Sequence, residues 1–412
     1  MLWSREICPK ENASTPQLSA TMSRFLRPAV ISMKAYAPGE QIKDAIKLNT
    51  NECAWGPSPE VLKAVAGVTP DQLRLYPSPM ADRVRAAAAD VFQVMADQVL
   101  VGNGSDDCLT VIMRSFLEPG DKCACPWPTY SLYDTLATIQ GVEIIHCDWL
   151  EEEDPLLAAK GIASSGGGVS GHHLPISALL DTGAKVIFIA TPNNPSATLV
   201  PLEQLDLLAS QLEGVLVVDE AYIDYACDAA GQPAGLAMSW IPRLASRDNV
   251  IVLRTFSKSY SMAGGRLGLM FASEELIEHM NKVKDSYNVN ALTQVAGEAA
   301  LRDRKHFDWL VRETIRERDW VEAQLVQFGW TWPKTSANFL LAEVGSKELA
   351  ARLYARLKAE GVLVRYWGSR PDLWTKLRIT IGQRSSNEKF VGIVLKALAE
   401  DDGAAVKRPR QA

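Results

Sequence analysis

Strand-length runs that stay apolar from one residue to the next, such as Val215 to Val218 and Val250 to Leu253, leave this chain few architectures. A strand with one wet face alternates polar and apolar side chains. A β-branched run without alternation has to be covered on both faces, as strands of parallel sheets are. Strands are expected at Lys122 to Cys125, Glu143 to Cys147, Lys185 to Ala190, Gly214 to Val218, Asn249 to Thr255 and Leu267 to Ala272, with a short one at Val99 to Val101. Helical patterns fall between them at Arg83 to Phe92, Asp106 to Phe116 and Pro201 to Leu212. The expected class is α/β, with a large domain whose mostly parallel sheet carries helices on both faces.

After Asn290 the pattern changes to a long charged helix, Asp308 to Phe328, followed by strand and helix signals at Phe339 to Glu343, Leu349 to Glu360, Val362 to Tyr366 and Leu377 to Ile381. Together with residues near Lys47 to Pro57 these predict a smaller α+β domain built from both chain ends, and a cleft where it meets the larger one. The expected division is a flexible tail over 1–29, an arm and part of the small domain over 30–75, the large domain over 76–300, the rest of the small domain over 301–400 and a tail over 401–412. The Gly/Ser-rich stretch Gly161 to Gly171 reads as a surface insertion.

Several function classes drop out on composition. The apolar runs fall far short of the ~20 residues of a membrane-spanning helix. A net charge of −6 without a basic stripe argues against nucleic acid, so the partner is a small molecule. The first residues lack the apolar core of a secretory signal. Seven cysteines are an odd count, with Cys123 and Cys125 in an apolar strand, which favours a reducing cytoplasm. No metal site is expected, because the five histidines lie outside the motifs below.

The chemistry gathers at strand ends. Thr255-Phe-Ser-Lys258 follows the run to Leu253 and precedes Ser261-Met-Ala-Gly-Gly-Arg266. A lysine there suits imine formation with an aldehyde cofactor if burial and a nearby cation, for which Arg266 is the candidate, lower its pKa. Asp219 ends the run Val215 to Val218, and a buried carboxylate wants a cationic partner such as a pyridinium nitrogen. Tyr222, and Asn194 in Thr191-Pro-Asn-Asn-Pro195, are within reach of the ring's phenolic oxygen; a helix cap and a simple turn are the plainer readings of these two segments. Val101-Gly-Asn-Gly104-Ser105-Asp106, between a strand and a helix, suits a phosphate, with Ser257 and Arg266 adding hydroxyl and charge. A dinucleotide site is the rival there, but position 107 is Asp where a third glycine is usual. Tyr130, in preference to Trp127, is the aromatic candidate to stack on the ring, with core packing as the alternative.

In order and spacing these segments resemble the aminotransferases of fold type I, and among them the histidinol-phosphate aminotransferase family, from about Tyr36 to Phe390. The resemblance rests on Leu48-Asn-Thr-Asn-Glu52, Tyr76-Pro, Gly102-Asn-Gly-Ser-Asp106, Pro128-Thr-Tyr130, Pro192-Asn-Asn-Pro195, Val218-Asp-Glu-Ala-Tyr222, Arg254-Thr-Phe-Ser-Lys258, Ala263-Gly-Gly-Arg266, Ser336-Ala-Asn-Phe339 and Leu377-Arg-Ile-Thr-Ile-Gly382. It implies pyridoxal 5'-phosphate held by Lys258 as a Schiff base, Asp219 on the ring nitrogen, Tyr222 and Asn194 on the ring oxygen, and Gly104, Ser105, Asp106, Ser257 and Arg266 about the phosphate. It further implies that Tyr76 reaches the cofactor of a neighbouring subunit in a homodimer. Arg378 and Arg365 would take the acidic groups of substrate, with Tyr36 and Asn338 as further contacts. The implied reaction passes an amino group from glutamate to imidazole acetol phosphate, giving histidinol phosphate for histidine biosynthesis; aromatic amino acid transamination and threonine-phosphate decarboxylation are the near alternatives. Two segments depart from the pattern: Asn194-Pro-Ser-Ala197 has lost a glycine, and Asn51-Glu-Cys-Ala54 stands where relatives read Asn-Glu-Asn-Pro.

Overall fold

The apolar runs form the centre of a seven-stranded sheet in the computed structural model, which describes residues 23–33, 39–160, 162 and 173–406. The strands among these residues are β1 (Ile46–Leu48), β2 (Val99–Gly102), β3 (Lys122–Trp127), β4 (Glu143–Asp148), β5 (Val186–Ala190), β6 (Val215–Asp219), β7 (Val250–Thr255), β8 (Gly268–Phe271), β9 (Phe339–Glu343), β10 (Val362–Tyr366) and β11 (Lys376–Thr380). The larger sheet has the order β2-β8-β7-β6-β5-β3-β4. Only β8 runs antiparallel to its neighbours.

Burial on both faces is visible residue by residue. Ile187, Ile189, Leu216, Val218, Val250 and Val252 lie in one apolar cluster, while Val186, Phe188, Val217, Ile251 and Leu253 point into another. Helices Asp82–Phe92, Leu202–Gln211 and Ala291–Arg302 cover the first face through Val84, Leu208 and Ala296. Ser105–Phe116 and Leu132–Gln140 cover the second through Leu109, Ile112 and Tyr133. At roughly 1.5–3 kcal/mol for each large side chain removed from water, this two-sided burial accounts for the absence of polar alternation.

A smaller sheet, β1-β10-β11-β9, has its own core of Leu48, Leu340, Leu377, Leu353 and Phe390. Its first strand comes from near the start of the chain and pairs parallel with β10, so both ends of the sequence build it. Of the stretch 30–75, β1 joins this sheet, while Val61 of helix Pro59–Ala66 lies in the larger cluster. Helix Arg304–Leu325 reaches from one core to the other, with Phe307 and Val311 in the larger and Val321 and Leu325 in the smaller. At the C-terminus the backbone stays helical to Val406.

The described residues 23–33 belong to a separate unit, in which Ser23–Phe25 is a 3-10 turn and Pro28–Ser32 a short helix. Tyr36 itself and, Ile162 apart, the stretch Gly161 to Gly171 lie outside the described residues, as do the ends of both expected tails. No described helix is long and apolar enough to cross a membrane.

Candidate active site

Strands β2, β3, β5, β6 and β7 all run the same way, so the segments after them emerge at one edge of the sheet, where ligands of open α/β sheets sit. These are the segments carrying Gly104 to Asp106, Tyr130, Asn194, Asp219 to Tyr222, and Ser257 to Lys258. Asp219 pairs in register with Leu253, five residues before Lys258. Strand order thus brings the amine and the carboxylate to neighbouring strand ends.

The Lys258 amine donates to the Thr50 carbonyl at 3.2 Å and stands 5.6 Å from the centre of the Tyr222 ring. Loss of hydration pushes its pKa down to about 8, helped by the positive charges of Arg378 and Arg266 and opposed by Glu52 and Asp106. Of the two cations Arg378 acts more strongly, although the sequence pointed only to Arg266.

Asp219 is buried and no cation among the described residues pairs with it. The Tyr133 hydroxyl donates to one oxygen at 2.9 Å and the Ala221 N–H to the other at 3.2 Å. Burial pushes the carboxyl up to about 6 against the pull of those two donors. A protonated ring nitrogen is the kind of partner such a group lacks, so the donor set fits pyridoxal phosphate.

Around the proposed phosphate position, Gly104 caps helix Ser105–Phe116 at φ 88°, and a Cβ there would lie 2.6 Å from Arg266 Nη2. The Arg266 guanidinium reaches Ser257 Oγ at 3.4 Å and Asp106 Oδ2 at 3.1 Å. Asp106 also accepts from the Tyr130 hydroxyl at 3.2 Å, so its carboxylate is a strut between two site residues. The Tyr130 ring meets Tyr133 edge-on at 5.6 Å.

Arg378 on β11 is buried, and it donates to Asn194 Oδ1 at 2.7 Å and to the Asn49 carbonyl at 2.6 Å. Arg365 faces it across the β10–β11 pairing, and both guanidiniums lie against Trp367, at 5.4 and 5.5 Å from its ring. Asn338, buried just before β9, donates to the Asn51 carbonyl at 3.1 Å. Tyr76 does not join the contacts that tie these residues together: it is 80% exposed and stacks on Tyr287 at 4.5 Å. Ala197, at the position of the missing glycine, is fully buried and holds φ 64°, a left-handed backbone that costs a Cβ-bearing residue ~1–2 kcal/mol.

Four residues not singled out as site candidates in the sequence belong here: Tyr133, Thr50, Asn51 and Thr380, the last donating to Asn51 Oδ1 at 2.9 Å. Thr50, Asn51 and Thr380 stand inside motifs read for other reasons. Tyr133 carried no signal of its own, because an aromatic on a helix face is ordinarily core.

The family described as Aminotransferase class I and II matches residues 43–394. With a fold and site of this kind, the chain is a member of the class I and II aminotransferases. Within them it belongs to the histidinol-phosphate aminotransferase family: it is 36% identical over 373 residues to histidinol-phosphate aminotransferase 1 of Trichormus variabilis, covering 90% of this chain and 98% of that one. It is 40% identical over 359 residues to the histidinol-phosphate aminotransferase of a Synechocystis species, covering 87% and 93%. Among solved structures, histidinol-phosphate aminotransferase from Sinorhizobium meliloti in complex with pyridoxal-5'-phosphate shares the fold, with a TM-score of 0.76 at 22% identity over 90% of this chain and 98% of that one.

Proposed function

We propose that this chain is a pyridoxal-phosphate transaminase that moves an amino group between glutamate and imidazole acetol phosphate, forming histidinol phosphate in histidine biosynthesis. The observation that carries the reading is the pair at neighbouring strand ends: an amine whose pKa is pushed down to about 8 and a buried acid that no cation among the described residues pairs with. The activity for which both relatives are named supports the substrate.

Bound, the cofactor supplies an electron-withdrawing ring that takes up the electron pair left when a Cα–H bond breaks. Lys258 would hold it covalently and, once displaced from it, would take up and pass on the proton of the substrate Cα. Asp219 keeps the ring nitrogen protonated, while Tyr222 and Asn194 contact the ring oxygen and Tyr130 stacks on the ring. Gly104, Ser105, Ser257 and Arg266 hold the phosphate, and Asp106 fixes Arg266. Arg378 and Arg365 take the carboxylate of glutamate and the phosphate of the acceptor, which a planar guanidinium binds equally well. Asn338 completes the substrate contacts.

The assembly we propose is a homodimer in which Tyr76 serves the partner's cofactor. Exposed Leu62, Leu73, Leu75, Tyr76 and Tyr287 support it as apolar side chains wanting cover. The free cysteines among the described residues support a reducing cytoplasm.

Purified enzyme given glutamate and imidazole acetol phosphate is expected to form 2-oxoglutarate, and Lys258→Ala to abolish turnover. Unimpaired turnover by that variant defeats the assignment. Preference for an aromatic keto acid, or release of CO2 from threonine phosphate, redirects the substrate reading.

A further inference from the structure

Tyr222, after β6, meets Asn51, after β1, where Asn51 Nδ2 donates to the Tyr222 hydroxyl oxygen at 3.1 Å, both residues being buried. Proton accounting fixes the direction of that bond. Thr380 Oγ1 accepts the backbone N–H of Asn51 at 3.0 Å, so its own proton is directed to its other neighbour, Asn51 Oδ1, at 2.9 Å. The amide nitrogen is thereby left facing Tyr222. A hydroxyl oxygen that receives a proton from Asn51 keeps its own proton for a different acceptor.

Asn51 is itself tightly held. Its backbone sits at φ 56°, and its carbonyl accepts from Asn338 Nδ2 at 3.1 Å. Thr380 stands two residues beyond Arg378 on β11, hence on the same face of the strand. Arg378 grips the same N-terminal segment through the Asn49 carbonyl at 2.6 Å. The face of β11 that presents a guanidinium to substrate therefore also sets the Asn51 amide.

We propose that Asn51 is a positioning residue for Tyr222: by donating to the hydroxyl oxygen it turns the Tyr222 proton into the site and strengthens it as a donor, and Thr380 ties that setting to the strand carrying Arg378. This rests on the reading of Tyr222 as a contact of the cofactor's ring oxygen. Linked hydrogen bonds polarise one another, so the acceptor role of the Tyr222 oxygen makes its O–H a better donor. Burial pushes the Tyr222 phenol up, and Arg378 and then Asn51 pull it back.

A donor aimed at the ring oxygen favours that oxygen's anionic form and lowers the pH midpoint of the absorbance change of bound pyridoxal phosphate. The test measures that midpoint in holoenzyme carrying Asn51→Gly, Thr380→Val, Tyr222→Phe and the pair Asn51→Gly with Tyr222→Phe. Glycine adopts a positive φ without strain, so the first variant removes the amide while sparing the backbone. The expected result is a midpoint raised by about 0.5–1 pH unit in Asn51→Gly. Thr380→Val should move it the same way by less and Tyr222→Phe by more, with Asn51→Gly adding nothing once Tyr222 is Phe.

A merely structural role lowers the melting temperature in both backgrounds and leaves the midpoint alone. An unmoved midpoint in Asn51→Gly beside a moved one in Tyr222→Phe, or a shift that adds in the double variant, overturns the proposal and leaves the assignment of Tyr222 standing. An unmoved midpoint in Tyr222→Phe overturns both, while the role of Lys258 is judged separately by its alanine variant.

Discussion

Lys258 and Asp219 are each pushed toward neutrality by burial, from opposite directions. Below about pH 8 the amine of the cofactor-free protein is mostly protonated and cannot attack an aldehyde, so covalent capture of pyridoxal phosphate should accelerate as pH rises and level off above that point. Arg378→Leu removes the strongest positive neighbour and should move the midpoint upward; stopped-flow absorbance across a pH series reads both. On the acid, Tyr133→Phe removes one of the two donors to Asp219 and should lower kcat about tenfold by weakening its anionic form, an effect steady-state kinetics would detect. Lys258, Asp219 and Arg266 were legible as residues because each breaks an apolar or glycine-rich context at a strand end. Tyr133 was not, since only the folded sheet brings a helix aromatic against that carboxylate.

Element boundaries were legible wherever one physical signal dominated. Phe339–Glu343 and Val362–Tyr366 form as the pattern predicts, whereas the charged helix expected from Asp308 begins at Arg304, because the Asp303 side chain caps it by accepting from the His306 N–H. A cap is a hydrogen bond of one residue and leaves no periodicity to find. The antiparallel direction of β8 was equally hidden, as an apolar run reads the same in either direction. That strand backs the proposed phosphate position: a Cβ on Gly268 would collide with Ser105 N and lie 2.5 Å from the Gly104 carbonyl carbon. Gly268→Ala should therefore cost roughly 1–3 kcal/mol in urea unfolding and weaken cofactor binding, since backbone rather than a flexible side chain has to give way.

At the scale of the whole molecule, the role proposed for Tyr76 depends on a second subunit. If it serves the partner's site, mixing inactive Lys258→Ala subunits with inactive Tyr76→Ala subunits should rebuild one intact site in each hybrid dimer. Activity should then return to about a quarter of wild type after random exchange, as two-fold symmetry requires. No recovery, with hybrids verified by native mass spectrometry, rejects shared sites. The chain's own order of apolar runs, glycines and charged strand ends determined the class of fold and pointed to the cofactor, because burial energy and backbone freedom act locally and leave local marks. Tertiary structure alone decided which groups touch: that Arg378 outweighs Arg266 at the amine, that Tyr133 holds the acid, and that Asn51, held by Thr380, reaches Tyr222. Electrostatics and hydrogen bonds depend on distance through space, and Asn51 and Thr380, 329 residues apart in the chain, come together only when β11 is packed beside the first strand's exit.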